Sequence, residues 1–260
     1  MTMTDEAPVL LERDGTIVRV VLNRPEARNA LNLPMCLALR EAFERIDGDL
    51  EIRAVLVEGK GDVFCAGADM KERKDRDAIW IRQRRIAAFQ AYAAIERCTR
   101  PVIALVQGPT VGSGGEIAMS CDFVVAASNA SFRFPEAHWG TVGATQRLQR
   151  VIGRSRAKEL LFTARQMPVE EAVTLGLVAR IVEPEVLAET GLALVRRIAE
   201  APPLAMVLTK QAVELGACAD LDAGIRIELA AIERLLADGG WKASIDNFVR
   251  TVGGKGDATD

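Results

Sequence analysis

The sequence predicts an α/β fold in which a strand-and-helix body, residues 1–184, is followed by a helical region, residues 185–260. In the body, short and strongly apolar runs such as Ala54–Val57 and Val102–Val106 alternate with longer segments of helical apolar spacing, as expected for an α/β domain. From Glu185 onward the apolar spacing is helical throughout and is interrupted only at proline or glycine.

The individual elements follow from apolar periodicity and turn residues. Asp14-Gly15 is a hairpin signal between the first two strands, and Pro34 suits the first turn of a helix. The predicted strands are Val9–Glu12, Thr16–Asn23, Ala54–Val57, Val102–Val106, Phe123–Ala127 and Val178–Val182. The predicted helices are Leu33–Asp47, Ala78–Arg97, a short helix with Glu116 in its first turn, Ala144–Ile152, Arg156–Thr163 with Ser155 as N-cap, Pro168–Val173, Glu185–Ala199, Pro203–Leu215, Leu221–Leu236 and Trp241–Phe248.

The composition excludes several classes of protein. The net charge of −3, from 33 basic and 36 acidic residues, argues against a nucleic-acid partner. No run reaches the ~18 apolar residues of a membrane span, and Met1–Pro8 has no signal-peptide pattern. The cysteines at 36, 65, 98, 121 and 218 lack zinc spacing, and most lie in apolar surroundings. This pattern predicts buried thiols and a cytoplasmic location without a membrane partner.

Two further observations concern charged and titratable side chains. The basic cluster Arg82, Arg84 and Arg85 falls in a helical segment and is interpreted as its solvated face rather than a binding patch. His138 is the single histidine of the chain, which excludes a multi-histidine metal site.

A glycine-rich turn, Gly112–Gly115, carries the strongest functional signal. Glycines let a backbone approach a ligand closely, and the first N–H groups of a helix can hold negative charge. Glu116 lies in the helix that follows, and Glu136, placed after Pro135, could share its pocket. This pattern suits proton transfer beside an oxyanion. The alternative is a turn that binds nothing, with Glu116 as a capping residue.

Two familiar glycine motifs do not fit this turn. The dinucleotide-binding motif would need glycine where Ile117 stands, and the nucleophile elbow around Ser113 would need glycine where Val111 stands. A serine hydrolase built on Ser113, Asp122 and His138 would therefore have an incomplete elbow.

Several segments, in order and over nearly the whole chain, resemble the enoyl-CoA hydratase/isomerase, or crotonase, family. They are Asn23–Asn32, Phe64–Lys71, Pro101–Ala104, Gly112–Met119, Phe134–Glu136 and Thr145–Leu148. The resemblance implies a crotonase-type spiral of repeated ββα units. It also implies that the C-terminal helices form a homotrimer, or a homohexamer of two trimers, and that the protein acts in fatty acid metabolism.

The resemblance also implies an active site. The thioester oxygen of an acyl-CoA would lie between the backbone N–H groups of Ala68 and Ser113. Glu116 and Glu136 would hold one water, with one carboxylate delivering its hydroxyl to Cβ and the other protonating Cα. Two carboxylates in one small site should raise the pKa of one of them. We favour Glu136 as the proton donor to Cα.

The same resemblance places CoA and substrate contacts at Arg28, Ala30, Ala66, Asp69, Met70, Lys71, Gly112 and His138. Arg28 and Ala30 would flank pantetheine and adenine, and Lys71 would approach the phosphate-bearing end. His138 either bonds within its loop or contacts a polar substrate. Ser113 stands where the family usually has glycine, and the loop after Glu136 is shorter than usual, which leaves the acyl chain open.

These observations predict an enoyl-CoA hydratase that adds water syn to a 2-enoyl-CoA and gives a 3-hydroxyacyl-CoA. No metal or redox cofactor is expected, because polarisation of the thioester and two carboxylates suffice, and coenzyme A is part of the substrate. Alternatives within the family are double-bond isomerisation, thioester hydrolysis and decarboxylation. A non-catalytic member that binds acyl-CoA or RNA is the alternative from another class.

Overall fold

The computed structural model describes residues 7–242, 245 and 249–250. The strands in this part are β1 Val9–Asp14, β2 Ile17–Leu22, β3 Ala54–Gly59, β4 Val102–Val106, β5 Pro109–Val111, β6 Phe123–Ala127, β7 Ser131–Arg133, β8 Gln166–Pro168 and β9 Arg180–Val182. The α-helices are α1 Leu33–Gly48, α2 Ala78–Arg97, α3 Ser113–Ser120, α4 Thr145–Ile152, α5 Arg154–Thr163, α6 Val169–Thr174, α7 Leu187–Ala199, α8 Pro203–Gly216 and α9 Leu221–Asp238. Most of the predicted helix Trp241–Phe248 lies outside the described residues, as does the start of the Met1–Pro8 segment.

The larger sheet places β1, β2, β3, β4, β6 and β9 side by side in that order. β1 and β2 form an antiparallel hairpin, and every later pair in this sheet is parallel. All residues of β4 are buried, and nearly all of β3 is. Parallel strands covered on both faces have continuous apolar sequences, so the short apolar runs predicted these strands correctly.

A second strand layer runs beside the first. β5 pairs with β7 in parallel, and β7 pairs with β8 in antiparallel. Single bridges between Cys65 and Thr110 and between Leu31 and Ala68 add two loop segments to this layer. Each repeat of the chain therefore contributes one segment to the first layer, one segment to the second layer and then a helix. This order confirms the repeated ββα spiral.

Helices α1 and α2 pack against each other. The apolar face of α1 buries Leu39, Phe43 and Ile46, and the Asn32 side chain caps the helix by accepting from Met35 N–H at 3.0 Å. The bounds predicted for α2 are those observed. Four of the five cysteines are buried and the one at position 218 is exposed, which agrees with the prediction of mostly buried thiols.

Two local predictions were wrong. Helix α5 begins at Arg154, with Gly153 at its N-cap position, so Ser155 lies inside the helix and does not cap it. Of the three arginines predicted to form a solvated face of α2, only Arg82 is exposed.

The other two arginines of that cluster are turned into the protein. Arg84 is 1% exposed, because its guanidinium bonds Glu72 at 2.6 Å and also donates to the Leu31 carbonyl oxygen. Arg85 is half-buried and donates to Thr141 Oγ1 at 2.6 Å.

The chain divides into two compact units after Ile198. The first unit contains both strand layers and the helices up to α7. The boundary predicted from the sequence was at residue 184. The second contains α8 and α9, with a groove of about 630 Å³ between them. Large apolar side chains of α9 are exposed, namely Leu221, Ile225, Leu229, Ile232 and Leu236. Across the described residues, we find no helix whose length and apolar character would let it cross a membrane.

Candidate active site

The glycine-rich turn brings the start of α3 against Glu136. Gly112 has φ +47°, a left-handed conformation that favours glycine, and α3 begins at the next residue, Ser113. A Cβ on Gly112 would lie 2.6 Å from Glu136 Oε1, closer than any real contact allows. The missing side chain therefore makes the space in which the Glu136 carboxyl lies.

The next two glycines allow close packing at the same helix start. A Cβ on Gly114 would lie 2.4 Å from the Cys65 carbonyl oxygen, and one on Gly115 would lie 2.5 Å from the ring of Phe134. The segment around Cys65 and the Phe134–Glu136 segment thus both press on the first turn of α3.

Ala68 lies in a loop held in strand-like pairing with Leu31. Leu31 N–H donates to Gly67 O at 2.7 Å, and Asp69 N–H donates to Leu31 O at 2.9 Å. Since neighbouring peptide groups of an extended chain alternate in direction, the Ala68 N–H faces away from Leu31, toward the side where β5 lies. A Cβ added to Gly67 would lie 3.0 Å from Val111 O, so this loop packs closely against β5.

The two backbone donors implied by the resemblance share a pattern. Ala68 follows Gly67, with φ +98°, and Ser113 follows Gly112, with φ +47°. Ser113 is the first residue of α3, whose first N–H groups have no intrahelical acceptor and lie at the positive end of the helix dipole. The arrangement suits the stabilisation of a developing oxyanion.

Glu116 is a buried carboxylate with a donor for each oxygen. It is 5% exposed and lies at the end of the first turn of α3. Oε1 accepts from Ala144 N–H at 2.8 Å, and Oε2 accepts from Arg147 Nη1 at 2.9 Å. Arg147 also bonds both oxygens of Glu96, at 2.6 and 2.8 Å. Glu116 is therefore held as an ionised group by a cation and a backbone amide.

Glu136 is buried without such partners. It is 9% exposed, and its Oε2 has no hydrogen-bond partner within the described part of the chain. Burial raises the pKa of Glu136, and the negative charge of Glu116 raises this pKa further, whereas its own backbone N–H and the positive charge of Arg85 lower it. The carboxyls thus lie in one electrostatic environment, in which Glu136 holds a proton more readily than an ordinary glutamate does.

One short loop positions both carboxyls. A Cβ on Gly143 would lie 2.8 Å from Glu136 Cγ, so this glycine packs directly on the Glu136 side chain. The next residue, Ala144, has φ +55° and donates its N–H to Glu116. The loop that is shorter than usual for the family therefore sets the positions of both candidate catalytic groups.

Tyr92, which was not predicted to take part in the site, lies beside it. Its ring packs under the guanidinium of Arg147, 5.2 Å from the ring centroid. Burial raises the pKa of Tyr92, a hydrogen bond from the Ser113 side chain lowers this pKa, and the charge of Glu116 raises it. Ser113 stands where the family usually has glycine, and its hydroxyl thus has a hydrogen-bond partner on α2, the Tyr92 hydroxyl.

The predicted CoA contacts lie along the loop that carries Ala68. Arg28 O accepts from Ala66 N–H at 3.0 Å, which ties the first family segment to this loop. Ala30 is half-buried next to it. The Asp69 carboxylate is engaged by Arg24 at 3.1 Å, so it is a structural partner of that arginine in this structure.

Three other predicted contacts are exposed. Met70 and Lys71 lie at the exposed end of the same loop. His138 is in the 3-10 helix Glu136–Trp139, and its Nε2 lies 2.6 Å from Phe162 O, a carbonyl of helix α5. Within the described residues, no three His, Cys, Asp or Glu side chains come together as a metal site.

Fold and site together define a class of protein: a ββα spiral that places two buried carboxyls beside main-chain donors at a helix start. The chain belongs to the enoyl-CoA hydratase/isomerase family, whose family model matches residues 12–253.

Relatives and solved structures agree with this membership. The chain is 37% identical over 245 residues to a short-chain-enoyl-CoA hydratase of Clostridium acetobutylicum, covering 93% of this chain and 94% of the relative. It is 35% identical to a crotonyl-CoA hydratase of Syntrophomonas wolfei, with the same coverage. An enoyl-CoA hydratase subunit of Geobacillus kaustophilus superposes with a TM-score of 0.89 at 34% identity, covering 95% of this chain and 97% of that one. A Thermobifida fusca relative in complex with CoA superposes with a TM-score of 0.83 at 28% identity, covering 92% and 98%.

Proposed function

We propose that the protein is an enoyl-CoA hydratase that adds water to a 2-enoyl-CoA thioester and yields the 3-hydroxyacyl-CoA. One observation carries the proposal: Glu116 is paired with Arg147, while the neighbouring Glu136 is buried with an unpartnered oxygen and a raised pKa. An ionised and a protonated carboxyl side by side form the base and acid that hydration needs. Relatives named short-chain-enoyl-CoA hydratase and crotonyl-CoA hydratase support the same reaction.

The chemistry follows from this pair of protonation states. The N–H groups of Ala68 and Ser113 donate to the thioester oxygen and stabilise the enolate that forms there. Glu116 takes a proton from water as the hydroxyl oxygen bonds to Cβ, and Glu136 gives its proton to Cα. Both groups act from one side of the double bond, so the addition is syn. A water shared by both carboxyls returns the proton from Glu116 to Glu136 and restores the starting state.

Substrate binding in this proposal uses the loop that carries Ala68. Ala66, Met70 and Gly112 line the path of the thioester, with Arg28 and Ala30 beside the pantetheine and adenine. Lys71, at the exposed end, faces the phosphates. Coenzyme A enters as part of the substrate. The reaction requires no metal or redox cofactor, since main-chain donors polarise the thioester and two carboxyls move the protons.

We further propose that the protein is a homotrimer or a homohexamer. The exposed apolar residues of α9 and the groove between α8 and α9 support this, because apolar surfaces of that kind mark subunit interfaces. The cytoplasmic location and the role in fatty acid metabolism stay predictions from the sequence.

Mixing the protein with crotonyl-CoA tests the proposed reaction. Hydration removes the conjugated double bond, so the ultraviolet absorbance of the enoyl thioester should fall and the acyl-CoA should gain the mass of one water. Release of free CoA would indicate a hydrolase, and migration of the double bond without added mass would indicate an isomerase. Tight acyl-CoA binding with unchanged absorbance and mass would indicate a non-catalytic member.

A further inference from the structure

Two half-buried arginines near the candidate site, Arg73 and Arg85, form no ion pair within the described residues. Arg73 ends the 3-10 helix Lys71–Arg73, and Arg85 lies on α2. Both are partly withdrawn from solvent. Guanidinium groups removed from water need hydrogen-bond acceptors or counter-charges, because burying an unpaired charge costs free energy.

Arg85 is fixed against the loop that positions the two glutamates. Its Nη2 donates to Thr141 Oγ1 at 2.6 Å, and Thr141 N–H in turn donates to Glu136 O at 3.0 Å. The positive charge of Arg85 is close enough to lower the pKa of Glu136. This guanidinium therefore lies near the group proposed to protonate Cα.

Arg73 is close enough to Arg85 for their charges to interact. Its Nε is buried and has no acceptor among the described residues. Burial lowers the pKa of Arg73, and the charges of Arg84 and Arg85 lower it further, so the three guanidinium groups are neighbours. The Tyr92 phenol, which is hydrogen-bonded to Ser113, also affects the pKa of Arg73.

Two of the nearby acidic groups, Glu72 and Glu116, form ion pairs with other arginines. Glu72 bonds Arg84 at 2.6 Å and Leu33 N–H at 2.8 Å. Glu116 and Glu96 share Arg147. Within the described part of the chain, neither Arg73 nor Arg85 has a carboxylate oxygen within 4.0 Å. Arg73 and Arg85 therefore have no ion-pair partner of their own in this part of the protein.

We propose that Arg73 and Arg85 bind a second carboxylate at the far end of the acyl chain. The substrate class is then the mono-CoA thioester of an unsaturated dicarboxylic acid, a specificity that rests on the proposed hydratase reaction. A carboxylate suits a pair of neighbouring guanidinium groups, since a guanidinium can bond it through parallel N–H groups. The CoA phosphates are the less suitable anion, because Arg85 is held at the Glu136–Thr141 turn and not along the loop that ends at Lys71.

Binding of saturated acyl-CoAs tests the proposal without turnover. Calorimetric titration compares glutaryl-CoA with pentanoyl-CoA, which share a five-carbon acyl chain and differ in a terminal carboxylate. The wild-type protein should bind glutaryl-CoA about 10- to 100-fold more tightly, the gain from a charge-assisted hydrogen bond. Arg73→Met and Arg85→Met should each bring this ratio toward one. Arg82→Met, an exposed arginine on the same helix α2, is the matched control and should leave the ratio unchanged.

Other outcomes overturn the proposal. A wild-type ratio near or below one refutes it. An equal loss of affinity for both ligands in the arginine variants assigns these residues to the CoA phosphates instead. If a methionine variant fails to fold, Arg73→Lys or Arg85→Lys replaces it and should keep only part of the preference, because lysine retains the charge but not the fork.

Crotonyl-CoA turnover, measured separately, distinguishes the two claims. Hydration without a glutaryl-CoA preference refutes the carboxylate site alone. A preference without hydration of crotonyl-CoA or glutaconyl-CoA refutes the hydratase reaction alone.

Discussion

Arg147 Nη1 lies 2.9 Å from Glu116 Oε2, and the same guanidinium bonds both oxygens of Glu96. Glu116 thus shares a cation with a more exposed carboxylate, whereas Glu136 has no cation within salt-bridge distance among the described residues. The different partners, more than the depth of burial, separate the two candidate catalytic groups. In our account this difference makes Glu116 the base and Glu136 the acid.

Replacing Arg147 should therefore disable the base. Arg147→Met leaves the buried Glu116 carboxylate without its cation, which should destabilise the fold by about 3–5 kcal/mol and lower kcat. Denaturant unfolding and crotonyl-CoA hydration measure the two effects. Glu96→Gln is the matched control, because it removes only the partner that is 39% exposed and should cost about 1 kcal/mol or less. Equal effects of both changes would contradict the assigned role of Arg147.

Gly112→Ala should displace the acid. Its Cβ would lie 2.6 Å from Glu136 Oε1, so the carboxyl must move, and the backbone at φ +47°, ψ −104°, a region that residues other than glycine rarely adopt, adds about 1–3 kcal/mol of strain. Gly140→Ala is the control for a positive φ, because its backbone lies in the left-handed helical region (φ +68°, ψ +27°), where alanine costs about 1–2 kcal/mol, and its Cβ meets nothing within 4 Å. We expect both variants to lose stability, Gly112→Ala more than Gly140→Ala, and kcat to fall only in Gly112→Ala. A similar kcat for the two variants would show that the position of Glu136 is not critical.

Glu136 should reduce stability at neutral pH. Its pKa is raised above the ordinary 4.5, so the folded protein binds a proton more tightly than the unfolded chain does. The contribution of Glu136 is then fully present below about 4.5 and is lost as the pH rises through the raised pKa. Glu136→Gln should unfold at higher denaturant concentration than wild type at pH 8, and the gain should vanish at pH 4. A gain that grows on acidification would contradict the direction of the shift.

Arg85 should set the basic limb of the pH–rate profile. If Glu136 must be protonated to act, activity falls as the pH rises through its pKa. The charge of Arg85 lowers this pKa, so Arg85→Met should raise it and move the basic limb of kcat/KM for crotonyl-CoA to higher pH. Arg85→Lys, which keeps the charge, should move the limb less. A shift to lower pH would remove Glu136 from the role of acid.

Much of the fold could be predicted from apolar periodicity. The bounds of α2, β4 and β6 are those predicted, because each combines a regular apolar pattern with a clear start or end. Strands β5, β7 and β8 were not predicted, since runs of three residues are too short to show a period. These strands pair because the tertiary structure brings them together beside the larger sheet, and a local sequence pattern does not show this.

The site was predictable only in part. Glu116 and Glu136 could be singled out because a glycine-rich turn and a family resemblance coincide with them. The contacts of Arg147 and Arg85 with the active-site loop could not be foreseen, since they join elements distant in sequence. Arg84 shows the limit of charge patterns: an arginine that resembles a solvated residue is fully buried, because Glu72 and the Leu31 carbonyl satisfy it.

The most direct test is the rate of crotonyl-CoA hydration by Glu116→Gln and by Glu136→Gln, with affinity for a saturated acyl-CoA measured in parallel. Each substitution keeps the shape of the side chain and removes one proton-transfer group. Our account predicts that each rate falls by about 10²–10⁴-fold while the affinity changes little. Either variant retaining nearly full activity would contradict the pairing of these two carboxyls as base and acid.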